Sequence, residues 1–145
     1  MKVVIADAIH ADGEAHLAKA GVQVSKGPFK PDALAQAVAD ADGLIVRSAT
    51  KVTKDVLAAA PKLKVVGRAG IGVDNIDVEA CKARGITVVN TPAATSNAVA
   101  ELTIAHVLAL ARHLPRGTAG IRDAKWEKKE LEGVELKGRT LGLLG

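Results

Sequence analysis

Aromatic side chains are almost missing from this chain of 145 residues: Phe29 and Trp126 are the only two, and tyrosine is absent. That excludes the stacking platforms on which proteins hold single-stranded nucleic acid, and it leaves no aromatic faces for a flavin ring. Cysteine is represented by Cys81 alone, so no internal disulfide can form. A small apolar filler in a reducing, cytoplasmic setting is the expectation for it. Long hydrophobic runs are lacking as well. The longest, Leu102 to Ala111, is interrupted by His106 and is too short to span a membrane. Met1-Lys2 opens no charged-then-apolar leader, so the expectation is a chain without a targeting or membrane segment. Metal-ligand spacing is also missing. His10, His16, His106 and His113 form no H-x-x-x-H pair and join no cysteine or acid cluster. They read as surface or helix-end residues, the first two on an early helix and the last two on a long later one.

What is present describes a globular chain. Hydrophobic residues make up 48% and charged residues 25%, enough for a domain with a real core. The formal charge of +4 does not point to a polyanion, because the basic residues are scattered. Their densest group, Lys125-Trp126-Glu127-Lys128-Lys129-Glu130, carries acids of its own and reads as a solvated helix face.

Strand-like and helix-like segments alternate through the first ninety residues. Lys2–Asp7, Val22–Ser25, Leu44–Arg47, Lys64–Gly67 and Ile86–Asn90 read as strands, with helices over Asp12–Ala20, Pro31–Asp40, Thr53–Ala60 and Asp77–Arg84. Thr53 can cap a helix, Pro61 stops one, and Gly21 and Gly85 fit positions just past helix ends. Apolar strands without polar alternation imply cover on both faces, hence a parallel sheet. Right-handed crossovers then give an α/β, flavodoxin-like, doubly wound five-stranded sheet of order 2-1-3-4-5. Beyond Pro92 the pattern predicts a long helix over 97–111 with a broad apolar face and a second over about 120–131. A loop marked by Gly133 and Gly138 follows, then an apolar strand from Thr140 to the last residue.

Ligands of open parallel sheets bind beyond the carboxyl ends of the strands. Those ends carry Asp7, then Arg47-Ser48-Ala49-Thr50-Lys51, then Arg68-Ala69-Gly70-Ile71-Gly72, then Asn90-Thr91-Pro92. Arginine holds a carboxylate or phosphate through two parallel hydrogen bonds, and glycines let a backbone approach a ligand closely. The two hydroxyls and the lysine beside Arg47 suit a phosphate. The expectation is therefore an anion site built from Arg47, Ser48, Lys51, Arg68, Ala69, Gly70 and Ile71. Gly70-Ile71-Gly72 is no dinucleotide fingerprint, because Asn75 stands where the third glycine belongs. A phosphoacceptor receiver is excluded by Arg47 at the third strand end, and a flavin carrier by the Ala8-Ile9-His10 loop. No general base can be nominated within the chain.

Three longer stretches carry a resemblance: Val46 to Val52, Val66 to Asp77, and Asn90-Thr91-Pro92. With Asn97 to Leu102, Trp126 and Leu136 to Gly142, they make the chain similar to the NAD-dependent D-2-hydroxyacid dehydrogenases over nearly its whole length. The Arg47-Ser48-Ala49-Thr50-Lys51 version resembles the members that oxidise 3-phosphoglycerate to 3-phosphohydroxypyruvate, the first step of serine biosynthesis.

The resemblance implies that residues 1–93 are the first segment of a substrate-binding domain. Residues 94–145 would then open an inserted nucleotide-binding domain, whose first helices build a dimer interface in the family. It implies that Arg47 and Arg68 contact the substrate's phosphate or carboxylate, with Ser48, Gly70 and Ile71 lining the site. Thr95 stands where the family often has asparagine. Gly145 matches the first glycine of the family's G-x-G-x-x-G, so NAD, the ribose-binding acid and the catalytic arginine, glutamate and histidine belong to sequence beyond it. The expectation is an amino-terminal fragment, inactive alone and without tight NAD binding, that takes a small phosphorylated acid and can pair through helix 97–111. Two other readings stand beside it: a self-contained anion-binding module, and a structural fragment that forms a swapped dimer.

Overall fold

The computed structural model describes residues 1–144, which fall into two compact units, Met1–Thr95 and a second that begins at Ser96. The first unit alternates β1 (Lys2–Ile5), α1 (Ala11–Lys19), β2 (Gln23–Lys26), α2 (Pro31–Val38), β3 (Gly43–Val46), α3 (Lys54–Ala58), β4 (Val65–Arg68), α4 (Val78–Ala83) and β5 (Thr87–Asn90). The strands form one sheet of order β2-β1-β3-β4-β5 in which every pair is parallel. That is the expected α/β architecture, with each boundary displaced by no more than two residues.

Local chemistry sets the helix ends. The Thr53 hydroxyl accepts from the Val56 amide and the Asp77 carboxylate from that of Ala80, which fixes the starts of α3 and α4. Gly21 and Gly85, at φ +69° and +68°, turn the chain out of α1 and α4 in a conformation that only glycine adopts without strain. His10 caps α1 from outside, its Nδ1 accepting from the Asp12 amide at 3.3 Å, so it precedes that helix rather than lying on it.

Alternate strand residues Val4, Leu44, Val46 and Val66 face Leu34, Val38, Leu57, Ile76 and Cys81 in one buried cluster. Cys81 is fully buried, as a small apolar filler should be. The opposite face is less complete. Val3 and Ile5 are buried, but Ile45, Gly67 and Val89, which share one register row, floor an open groove of about 470 Å³ flanked by Gly13, His16 and Leu17 of α1. Val89 keeps 49% of its surface exposed. Unbroken apolar strands therefore overstated the cover on this face at its β4–β5 side.

The second unit contains α5 (Ser96–Ala111) and α6 (Leu114–Arg122). No residue of α5 is buried, and Val99, Leu102, Ile104, Leu108 and Leu110 are all exposed. His113 lies outside the long helix, at φ 51°, and breaks the chain between α5 and α6. The helix expected over 120–131 instead runs from Leu114, because Pro115 pre-sets the backbone of a first turn and lacks the amide that would go unpaired there. It ends at Arg122 with Asp123 as its cap; Ala124 then takes φ 53° and the Lys125 amide folds back to the Gly120 carbonyl at 2.8 Å. The mixed-charge run at 125–130 is consequently turn, not helix face. Residues 140–144 form no strand, since no neighbouring strand offers them a ladder among the described residues. Gly145 lies outside those residues. No helix is long and apolar enough to cross a membrane among them.

Leu57 is 1% exposed and its α3 is only five residues long, so tertiary packing rather than propensity holds that helix. Leu57→Ala should cost about 2–5 kcal/mol of unfolding free energy, measured by urea titration.

Candidate anion site

The parallel sheet delivers its charged residues to one rim. Arg68 ends β4 opposite Val46 of β3, so Arg47 stands one residue further along the neighbouring strand. The ladder runs on through the Ala69 amide to the Val46 carbonyl at 2.9 Å. Past it the chain turns sharply, and the turn is pinned to the β5 end: the Thr91 amide donates to the Gly70 carbonyl at 3.0 Å and Asn90 Nδ2 to the Ile71 carbonyl at 2.6 Å. The exposed amides of Ile71 and Gly72 donate to nothing among the described residues.

Arg68 curls over this turn. A Cβ on Gly70 would overlap the Arg68 Nη1, so glycine is what lets the guanidinium lie there. Its Nε is buried without a partner among the described residues. Arg47 is exposed, and its Nη1 makes only a long contact, 3.4 Å, to the Ala8 carbonyl. Neither guanidinium joins an ion pair among the described residues, whereas Lys2, Lys26, Lys64, Arg116 and Lys125 all do. Two uncompensated cations on adjacent strand ends attract a small anion.

The expected residues fall into two loops. Arg68, Ala69, Gly70 and Ile71 form one, Arg47 and Ser48 the tip of the other. Lys51 is displaced from both, bordering a separate hollow of about 290 Å³ with Thr53, Asp74 and Asp77. Thr50 is also lost to a ligand, because its hydroxyl donates to Asp7 Oδ1 at 2.7 Å. Of the two hydroxyls expected to face a phosphate, Ser48 alone is exposed and unbonded among the described residues. No group of three or more metal-ligating side chains occurs among them either.

Two residues beside the site had no assigned role in the sequence. Asp7 Oδ2 accepts from the amides of Arg47 at 2.6 Å and Thr50 at 3.1 Å, in addition to the Thr50 hydroxyl on Oδ1. Asn75 Nδ2 donates to the carbonyls of Arg47 and Thr50, both at 2.7 Å. The order of the strands was the available signal for Asp7, since β1 lies next to β3. Nothing in the sequence distinguished Asn75 from an ordinary turn residue.

Burial pushes the Asp7 carboxyl up, but the hydrogen bonds from Thr50 and from the amides of Arg47, Thr50 and Ala49 outweigh it and hold the group below the ordinary aspartate value. A depressed folded-state value stabilises the protein above the unfolded value, and that contribution is lost as the pH falls through the folded one. Asp7→Asn should therefore lower the melting temperature at neutral pH, and the gap to the parent should narrow as the pH drops below about 4, followed by thermal unfolding across the acid range.

Residues 3–138 match the catalytic domain of the D-isomer specific 2-hydroxyacid dehydrogenases. The D-3-phosphoglycerate dehydrogenase of Methanocaldococcus jannaschii is 49% identical over 146 residues, covering all of this chain and 28% of that protein. The hydroxypyruvate reductase of Thermotoga maritima is 49% identical over 127 residues, 88% of this chain and 42% of that one. Among solved structures, the NAD+-bound 3-phosphoglycerate dehydrogenase of Entamoeba histolytica superposes with a TM-score of 0.66 at 37% identity, over 77% of this chain and 39% of that chain. The chain thus spans little more than a quarter of the length of its phosphoglycerate dehydrogenase relative from M. jannaschii. By its sequence and its five-stranded parallel sheet, it belongs to the D-isomer specific 2-hydroxyacid dehydrogenase family.

Proposed function

We propose that this chain carries the substrate-binding part of an NAD-dependent D-3-phosphoglycerate dehydrogenase, with residues 1–93 as the first segment of that domain and residues 94–145 opening the nucleotide-binding one. The observation that carries this reading is the pair of unpaired guanidiniums, Arg47 and Arg68, at the ends of β3 and β4. A substrate with two anionic groups uses both. Arg47 and Ser48 take one anion, Lys51 adds long-range positive charge, and Arg68 with Ala69, Gly70 and the free Ile71 amide takes the other. Relatives of equal identity carry the names of a phosphoglycerate dehydrogenase and a hydroxypyruvate reductase, so overall likeness does not select the substrate. The count of cations at the rim favours the phosphorylated acid.

The cofactor of the family carries away a hydride from the hydroxyl carbon. Residues 1–144 do not fit it. Their one glycine-rich turn has Asn75 in place of a third glycine, and α4 begins only at Val78. Gly145, the residue matched to the family's pyrophosphate turn, lies outside the described residues. The chain is a binding element, cytoplasmic and without turnover of its own. The exposed apolar residues of α5 support pairing with a second copy. Light scattering should give twice the chain mass, and Leu102→Glu with Leu110→Glu should return it to the single-chain value.

Calorimetric titration with 3-phosphoglycerate tests the site. Arg47→Ala and Arg68→Ala should each weaken binding about tenfold or more, the loss of one bidentate charged contact. Gly70→Ala should weaken binding less than Arg68→Ala, because the added methyl moves the guanidinium from over the turn without removing its charge. Heats unchanged in both arginine variants would remove them from the site.

A further inference from the structure

The loop that presents Arg47 is gripped from two sides. Asp7, at the end of β1, accepts the amides of residues 47 and 50. Asn75, from the turn after β4, donates to the carbonyls of the same two residues. Between these fixed ends stand Ser48 and Ala49, both exposed. Asp7 thus takes the donors and Asn75 the acceptors of one short stretch, and the residues left over face solvent.

Asn75 does more than hold this loop. It belongs to the segment that starts at Arg68 and Gly70, and its own backbone is tied down: the Val52 amide donates to the Asn75 carbonyl at 2.8 Å and the Asp77 amide to the Val52 carbonyl at 2.9 Å. One carboxamide therefore joins the Arg47 loop to the Arg68 turn. Its Oδ1 is buried and accepts nothing among the described residues. Here the donor end alone is used, on the two carbonyls that set the loop. Asp7 is likewise a poor choice for charge, because a carboxylate under an anion site repels the ligand. Its use is geometric.

We infer that Asn75 and Asp7 are positioning residues that fix the separation of the Arg47 and Arg68 loops, so that the rim fits a ligand with two anionic groups better than one with a single group. This rests on the rim being the substrate site proposed above. Preformed spacing spares the ordering cost of binding, and a ligand that must reach both loops gains most from it.

The test compares 3-phosphoglycerate with inorganic phosphate by calorimetry on the 145-residue chain. Asn75→Ala and Asp7→Asn should weaken 3-phosphoglycerate binding about tenfold and leave inorganic phosphate within about twofold. In the Arg47→Ala background, Asn75→Ala should add less than about twofold, because the loop it sets has already lost its ligand group. Asn75→Asp, the same size but with oxygen toward both carbonyls, should match or exceed Asn75→Ala and serves if the alanine variant does not fold. Amide hydrogen exchange reads the grip without ligand. In Asn75→Ala the amides of Arg47 and Thr50 should exchange about tenfold faster while those of β1, β3 and β4 stay protected. Equal losses for both ligands, a full additive loss in the double variant, or unchanged exchange at Arg47 and Thr50 would overturn the assignment. If the parent chain gives no heat with 3-phosphoglycerate, the proposed function falls, and the exchange experiment alone decides whether Asn75 sets the loop.

Discussion

In a parallel sheet every strand ends at the same edge, and the chemistry of this chain depends on that constraint. The order β2-β1-β3-β4-β5 sets the end of β1 beside β3 and β3 beside β4. Asp7, Arg47, Arg68 and Asn90 are far apart in sequence, yet they stand along one rim because each follows or closes a strand. An antiparallel sheet of the same strands would send alternate ends to opposite edges. The crossover helices, held by the Leu57, Val38 and Cys81 cluster, therefore set the geometry of that rim although none of its residues lies on them.

Along that rim, charge is distributed unevenly in a way that serves an anion. Asp7, beside the Arg47 loop, spends its oxygens on backbone amides and the Thr50 hydroxyl rather than on a guanidinium. Had it paired with Arg47, the cation would have been neutralised within the fold. Elsewhere lysines and Arg116 find acidic partners, mostly at exposed positions where such pairs add little stability. Arg47 and Arg68 are thus distinguished by their place, on adjacent strand ends with no ion pair among the described residues. Gly70 has the complementary part, giving Arg68 room to lie across the turn instead of extending into solvent.

Much of this was legible in the sequence because it is local. Alternating apolar runs and helix punctuation named all five strands and their order, and Gly21, Gly85 and Thr53 acted as their residue types predict. The failures share a cause in contacts between distant residues. Thr50 looked like a ligand hydroxyl until the β1–β3 adjacency brought it to Asp7, and Lys51 lay beyond the loop tip once Val52 bridged to Ile76. Asn75 looked like a turn residue because its two bonds reach back to residues 47 and 50. The run at 125–130 had helical spacing, but Pro115 had already started the helix earlier and Ala124 ended it. Residues 140–144 have strand composition with no neighbour to pair.

On the proposed reading, substrate choice is a question of charge spacing rather than of fold. Two relatives of equal identity to this chain bear different names, one a phosphoglycerate dehydrogenase and one a hydroxypyruvate reductase. A single carboxylate is satisfied by one arginine and a pair of amides, which the Arg68 turn can supply by itself. The Arg47 loop adds a second cation at a distance set by β3 and β4, about 4.8 Å apart as neighbouring strands are. A second anionic group gains from that loop only if it arrives at the matching separation. Each charged hydrogen bond contributes about 1.5–3 kcal/mol when the geometry is met, and leaves a desolvated cation when it is not. Discrimination therefore grows with the rigidity of the link between the two loops, and the only side chain that bonds across it among the described residues is Asn75.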